Sequence, residues 1–118
     1  MIKLMWALID TTSAIRANVA MSGGVVRDHD GNWIVGFTRF LGVYPLFEAE
    51  VWSILGGILI LLNKGYRRAI ILTDNLEVAQ ILNDLDLEDS GITMLRRTQR
   101  IMRLEGMWKI KHIPRNRN

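Results

Sequence analysis

Cysteine is absent from this chain of 118 residues. A sequence without cysteine has no disulfide framework and no thiolate metal site, and it is compatible with an intracellular compartment. Long apolar runs are lacking too, because the longest segment of apolar residues and glycine, residues 54–62, is far shorter than the roughly 20 residues that span a bilayer. We therefore expect no membrane association, and we also expect a monomer.

The composition is that of one ordinary globular domain, with 49% apolar and 23% charged residues. A chain of this length forms a single domain, here residues 1–118, that buries about two-thirds of its surface. The N-terminal segment MIKLMWALID lacks the length and the cleavage pattern of a signal peptide, so we expect it to contain a strand.

Charge is distributed unevenly along the chain. Residues 1–90 contain 7 Lys and Arg against 11 Asp and Glu, whereas residues 91–118 contain 8 Lys and Arg and only one acid, Glu105. A basic C-terminal part indicates a polyanionic partner such as nucleic acid. The alternative is an ordinary solvated helix face followed by a loose tail.

Hydrophobic periodicity predicts strands and helices along the whole chain. Strands are expected over residues 5–9, 22–28, 33–40, 69–73 and 107–113, with an Asp30-Gly31 hairpin turn between the second and third. Helices are expected over residues 47–64, 75–83 and 93–105, residues 11–19 as a connection, and residues 84–91 as an acidic loop. A mixed five-stranded sheet with helices on its faces accommodates this order.

Two glycines, Gly56 and Gly57, occupy the middle of the first predicted helix. Each costs about 1 kcal/mol relative to alanine in a helix interior. A close contact between this helix and a strand or another helix would explain them.

Asp74 follows the buried strand 69–73, and it has two interpretations. It could cap the next helix, with Glu77 completing a capping box. It could instead belong to a functional site, because open α/β sheets build their sites at strand ends.

Other acids could join Asp74. Asp10 is expected to end the first strand, and it shares an edge with Asp74 if the two strands are parallel neighbours. Glu50 begins a helical stripe that is otherwise apolar, and Glu48 begins another, so the stripe alone does not choose between them. Clustered carboxylates repel unless a cation binds, and Mg²⁺ prefers oxygen ligands. Helix capping, dipole and surface roles are the alternatives.

His112 lies at the end of the last predicted strand. It could transfer protons near neutral pH. It could equally be a core histidine beside Trp108 and Ile110.

Several blocks together resemble one family: GGVVRDHDGNWIVGFTRFLG, FEAEVW, ILTDNLEVAQIL and LRRTQRIMRLEGMWKIKHIPR. They are similar to the plant ribonuclease H-like domain, which is related to the ribonuclease H of reverse transcriptases and occurs alone or at the end of retroelement polyproteins. The resemblance implies an α/β fold with a mixed five-stranded sheet of order 3-2-1-4-5, strand 2 antiparallel, and helices on both faces. It also implies Mg²⁺-dependent cleavage of the RNA strand of RNA–DNA hybrids.

The resemblance assigns roles by position. It places the catalytic and metal-binding acids at Asp10, Glu50 and Asp74, and a catalytic histidine at His112. It thereby selects Glu50 over Glu48, and it implies a two-ion Mg²⁺ site. Nucleic-acid contacts would come from the basic third helix, at Arg96, Arg97, Arg100 and Arg103.

Two departures from the family are visible. Thr11 replaces the glycine that follows the first aspartate in the family, and an alternative alignment would put Ala7 in place of that aspartate. The resemblance also implies a final helix with a fourth acid beyond residue 118, so the last helix is expected to be missing, with weaker metal binding as the consequence. A catalytically inactive binding or protein-interaction module and a retroelement-derived fragment are therefore alternative interpretations.

Overall fold

The computed structural model describes residues 5–16, 19–42, 45–83 and 93–114. Within these ranges the elements follow the order β-β-β-α-β-α-α-β. They are β1 (Ala7–Arg16), β2 (Val19–Arg27), β3 (Trp33–Gly42), α1 (Leu46–Asn63), β4 (Arg68–Thr73), α2 (Leu76–Leu82), α3 (Thr93–Leu104) and β5 (Met107–His112). The predicted acidic loop at residues 84–91 lies outside the described residues.

The strands form one sheet with the order β3-β2-β1-β4-β5. β2 pairs antiparallel with β1 and with β3, whereas β4 pairs parallel with β1 and with β5. This is the predicted order and orientation of the strands, so the expected mixed five-stranded sheet is confirmed.

The first two strands are longer than predicted. Residues 11–16 were expected to form a connection, but they continue β1 and pair with residues 19–24 of β2. The expectation was wrong because the mixed Thr, Ser and Ala composition carries no clear alternating pattern. Pairing with a neighbouring strand, which is a tertiary contact, decides the conformation here.

Alternate residues of β1 and β4 face α1. We call this side the α1 face; it includes Ala7, Ile9, Thr11, Ala69, Ile71 and Thr73, all buried. The residues between them, such as Leu8, Ile70 and Leu72, are half-buried and lie on the opposite face. The core therefore forms on the α1 face, where all three described helices contribute side chains to one cluster.

The glycine pair in α1 has the close contacts that the sequence predicted. A Cβ on Gly57 would lie 2.7 Å from Cγ2 of Ile9, and a Cβ on Gly56 would lie 3.3 Å from Cε2 of Phe37. Any side chain at Gly57 would push α1 away from β1. The absence of a side chain thus lets the helix pack closely on the sheet, which also fixes the depth of Glu50 in the same helix.

α1 is long and apolar enough to cross a membrane on length and composition alone, with a mean hydropathy of 1.6. Half of that segment is buried inside the fold. A core helix of a globular domain passes the same test, and the stripe of Ile54, Ile58 and Leu61 is fully buried in the core.

Candidate functional site

The ends of the parallel β1–β4 pairing define one edge of the sheet. Asp10 pairs with Leu72 and is the last β1 residue that pairs with β4. Beyond it β1 continues alongside β2 only, so Asp10 does not end the strand as predicted. Because β4 ends at Thr73, Asp74 emerges at the place where the two strands separate. The alternative alignment would use Ala7, which pairs with Ala69 and lies farther from this edge.

Glu50 reaches this edge from the first turns of α1. Its exposed fraction is 0%, although an ionised carboxylate is rarely buried without a partner. The apolar stripe below it is buried in the core, which explains why the helix carries the carboxyl group inward. Glu48, the other candidate on this helix, is only half-buried.

One carboxylate oxygen of Glu50 is bound and the other is not. Oγ1 of Thr73 donates a hydrogen bond of 2.8 Å to Oε2 of Glu50. Oε1 is buried and has no hydrogen-bond partner within the described part of the chain. A buried oxygen without a donor is unfavourable by about 1–3 kcal/mol, so this atom is a candidate cation ligand.

The raised pKa of the Glu50 carboxyl also favours a cation at this position. Burial raises the pKa of the Glu50 carboxyl to about 7. The hydrogen bond from Thr73 and the nearby hydroxyl of Thr11 oppose this rise, whereas the neighbouring carboxylate of Asp74 adds to it. Two neighbouring carboxylates repel each other, and a cation that lies between them offsets this repulsion.

The structure brings Glu50 and Asp74 together but leaves Asp10 outside this pair. Ile9 and Thr11 both face α1, so Asp10 between them lies on the opposite face, where it is exposed. Within the described ranges no group of three Asp, Glu, His or Cys side chains is close enough to hold a metal ion. The oxygen donors of Glu50 and Asp74 fit a hard cation, and Asp10 is near in register but does not complete the set.

Asp74 does not cap α2, so the capping-box interpretation was wrong. The N-cap is Asn75, whose Oδ1 accepts a hydrogen bond of 3.1 Å from the backbone N–H of Val78. The cap is one residue later than the sequence suggested. Asp74 therefore lies at the sheet edge, one residue before the cap of α2.

Two threonines at the site were not selected from the sequence. Thr73 and Thr11 are 1% and 0% exposed, and both flank the Glu50 carboxyl. Thr11 had a usable signal, because it stands where the resembling family has glycine. Thr73 had none, since a threonine within a strand is usual.

His112 ends β5 and is aligned with Thr73 in the parallel pairing. It is half-buried, so it is neither fully solvated nor enclosed in the core. The backbone N–H of Ile113 donates a 2.8 Å hydrogen bond to the carbonyl of Thr73, which ties the end of β5 to the end of β4. His112 thus lies one strand from the Glu50–Asp74 pair.

The basic residues of α3 are placed mostly toward solvent. Arg97, Arg100 and Arg103 are exposed, while Arg96 is half-buried and donates a hydrogen bond to Oγ1 of Thr93. The opposite side of the helix buries Leu95, Thr98 and Gln99. The spacing of the arginines along α3 therefore places positive charge on the outer side of this helix.

Comparison with known proteins agrees with this architecture. The family described as Reverse transcriptase-like matches residues 9–118. An Arabidopsis thaliana protein named, provisionally, as a ribonuclease H protein is 26% identical over 116 residues, which are 96% of this chain and 19% of that protein. The chain thus spans about a fifth of the length of that relative.

Solved structures share the fold at low sequence identity. The N-terminal RNase H domain of a Mycobacterium tuberculosis protein superposes with a TM-score of 0.81 at 19% identity, covering 97% of this chain and 86% of that one. RNase H1 of Halobacterium salinarum gives 0.76 at 22% identity, covering 93% and 86%. RNase H1 LC11, isolated from compost and crystallised with an RNA/DNA hybrid, gives 0.75 at 18% identity, covering 92% and 86%.

These matches cover nearly the whole chain, including β1, α1, β4 and β5, the elements that form the sheet edge described above. The chain therefore belongs to the reverse transcriptase-like family and has a ribonuclease H-like domain.

Proposed function

We propose that this domain binds RNA–DNA hybrids and hydrolyses their RNA strand with the help of Mg²⁺. The observation that carries the proposal is the buried Glu50, with one unpartnered oxygen beside Asp74, in a ribonuclease H-like domain. The RNA/DNA hybrid bound to RNase H1 LC11, which shares this fold, supports the choice of substrate.

Glu50 and Asp74 would hold the metal, whereas Asp10 lies on the opposite face of the sheet and points away from them. Bound divalent ions would supply an activated water and would offset the charge that develops on the phosphate. Glu50 and Asp74 would orient that site from the protein side.

His112 would move a proton at the rim of the site. Its position at the end of β5, aligned with Thr73, places it beside the strand from which Asp74 emerges. An imidazole changes its charge near neutral pH, which suits the release of a leaving group.

The outer side of α3 would bind the backbone of the hybrid. Its exposed guanidinium groups match the negative phosphates without reading the base sequence. Each phosphate contact that is lost should lower the salt dependence of binding. Replacement of Arg97 and Arg100 by glutamate should weaken binding of a labelled hybrid, and the slope of log K against log salt should become shallower by about 1 per lost contact.

Cleavage of a labelled RNA–DNA hybrid tests the activity directly. The wild type, Asp74→Asn and Glu50→Gln should be compared in Mg²⁺ and in EDTA, with Glu48→Gln as the matched control on the same helix. We expect cleavage in Mg²⁺ by the wild type and by Glu48→Gln, and a loss of at least about 100-fold in the other two variants. Equal rates in all four proteins would contradict the proposal.

A second candidate function is nucleic-acid binding without catalysis. It is favoured by the position of Asp10 outside the Glu50–Asp74 pair and by the lack of a three-acid group in the described ranges. Hybrid binding that is independent of Mg²⁺, with no cleavage by the wild type, would establish it. A related fold has been solved with double-stranded DNA, so that duplex belongs in the same binding experiment.

A further inference from the structure

The buried Glu50 carboxylate is held asymmetrically. Oε2 accepts the hydrogen bond from Thr73, whereas Oε1 is buried without a partner in the described chain. A carboxylate that is attached at one oxygen has its orientation fixed while the second oxygen keeps its lone pairs for another ligand. The group that sets this asymmetry therefore matters as much as the acid itself.

Thr73 is suited to fix the orientation of Glu50. It is the last residue of β4, it is 1% exposed, and its carbonyl accepts a hydrogen bond from Ile113 of the neighbouring chain segment. Its hydroxyl accepts from the backbone N–H of Asn75 at 3.1 Å and donates to Glu50 at 2.8 Å. The amide thus directs the hydroxyl proton toward Glu50, and the β-branched side chain has little rotamer freedom.

Thr11 contacts the same carboxyl from β1. It is fully buried, its hydroxyl donates to the carbonyl of Leu72 at 3.1 Å, and it also interacts with Glu50. Because Leu72 directly precedes Thr73, the two threonines connect β1, β4 and α1 around one carboxylate. A glycine at position 11 could supply no hydroxyl to this arrangement.

We propose that the hydroxyls of Thr73 and Thr11 are positioning groups that hold Glu50 with Oε2 bound and Oε1 free to take a divalent cation. This inference rests on the proposed function, since it assigns a role in metal binding. It adds two residues that do not themselves contact the substrate. The test therefore measures the metal and not only the activity.

Mn²⁺ serves as the probe for Mg²⁺, and its affinity for the full chain is measured by titration calorimetry. The variants are Thr73→Val, which keeps the shape and loses the hydroxyl, and Thr73→Ser, which keeps the hydroxyl. Thr11→Val and Thr11→Ser form the same pair at the second position. Loss of an outer hydrogen bond to a metal ligand typically weakens affinity about 10- to 100-fold, and we expect this for Thr73→Val, with a smaller effect for Thr11→Val. The serine variants should stay within about threefold of the wild type.

Glu50→Gln separates failure of this inference from failure of the proposed function. If Glu50→Gln leaves Mn²⁺ affinity unchanged, the metal site itself is wrong. If Glu50→Gln weakens binding but both valine variants bind as the wild type does, only the positioning role is overturned. Equal losses in the serine and valine variants would overturn it too, because packing of the methyl group would then be responsible.

Thermal unfolding without metal shows which variants remain folded. If Thr73→Val does not fold, the comparison of Thr11→Val with Thr11→Ser decides the proposal by the same criterion. In the cleavage assay, Thr73→Val should require more Mg²⁺ for half-maximal rate while its affinity for the hybrid is unchanged. A change in hybrid affinity alone would contradict a role that acts through Glu50.

Discussion

The two faces of the sheet differ in what surrounds their side chains. On the α1 face, Ile9 and Ile71 are fully buried, and the close approach of Gly57 leaves no space for a larger residue. On the opposite face Leu8 and Ile70 are half-buried, and the ring of Trp6 has cations for neighbours. The same two strands therefore build a buried core on one side and a partly exposed surface on the other.

This difference explains why an acid on the α1 face is unusual. Glu50 is surrounded by apolar side chains and two threonines, so its charge is poorly solvated. Asp10, on the opposite face, is exposed to water and needs no partner. The face on which a carboxylate lies thus determines how well water solvates its charge.

The largest effect should come from truncating the α1 face. Ile9→Ala should lower the free energy of unfolding by about 2–5 kcal/mol, because it removes a fully buried side chain from a tightly packed core. Leu8→Ala, on the next residue, should cost about 1 kcal/mol or less, since this side chain is only partly removed from water. Urea unfolding measures both, and equal losses would show that the two faces are equally buried.

Next in size is the pH dependence that arises from Glu50. Burial raises its pKa from 4.5 to about 7, so the native state holds this proton more tightly than the unfolded state. The resulting stability is fully present below pH 4.5 and is lost as pH rises to about 7, a total of about 3 kcal/mol. Urea unfolding in EDTA should show this decrease, and Glu50→Gln should abolish it. The decrease should persist in Glu48→Gln; if it vanished there, Glu50 would not be its source.

A moderate loss of stability is expected where α1 packs against β1. Gly57→Ala would place a Cβ 2.7 Å from Cγ2 of Ile9, and overpacking of this kind costs about 1–3 kcal/mol, partly offset by the better helix propensity of alanine. At Gly36 of β3 a Cβ would meet Trp33 at an ordinary 3.6 Å. Gly36→Ala should therefore leave the midpoint of thermal unfolding within a few degrees of the wild type. A larger loss at Gly36 than at Gly57 would contradict the close packing of α1.

The smallest loss of stability is expected for a substitution on the opposite face of the sheet. The ammonium of Lys109 lies 4.9 Å from the centroid of the Trp6 ring, and Arg68 approaches the same ring at 5.9 Å. Exposed cation–π contacts contribute about 0.5–1 kcal/mol, so Lys109→Gln should destabilise the chain by no more than this. Lys111→Gln, on the same strand, is the control. Urea unfolding that gives the same change for both variants would mean that the aromatic contact contributes nothing.

The sequence predicted the sheet well because its buried strands carry strong signals. The continuous apolar run of β4 and the hairpin turn at Asp30-Gly31 gave the right elements, and the order of elements together with the family resemblance gave the right strand order. The pairing of residues 11–16 with β2 was missed because these residues show no periodicity. Their strand conformation depends on the backbone of β2, which no local pattern reveals.

The site was predicted unevenly for a similar reason. The burial of Glu50 followed from the stripe of Ile54, Ile58 and Leu61 once the resemblance had chosen it over Glu48. The cap was assigned one residue too early, to Asp74 instead of Asn75. Asp and Asn are equally good caps, so only the backbone geometry of the two positions distinguishes them. Asp10 is separated from Glu50 because successive residues of β1 lie on opposite faces of the sheet. A shift of β1 by one residue would place Asp10 on the α1 face instead.

The sequence by itself determined the helices and most of each strand, which residues are acids, and that the first helix begins with glutamates above apolar stripes. These properties are local, because they depend on residue type and on spacing within one element. Only the tertiary structure decided that Thr73 and Thr11 meet at Glu50, that one of its oxygens stays without a partner, and that Asp10 faces away. Those properties depend on strand register and on packing between segments that are far apart in the sequence, up to 61 positions for Thr11 and Leu72. Local sequence patterns within one element do not contain this information.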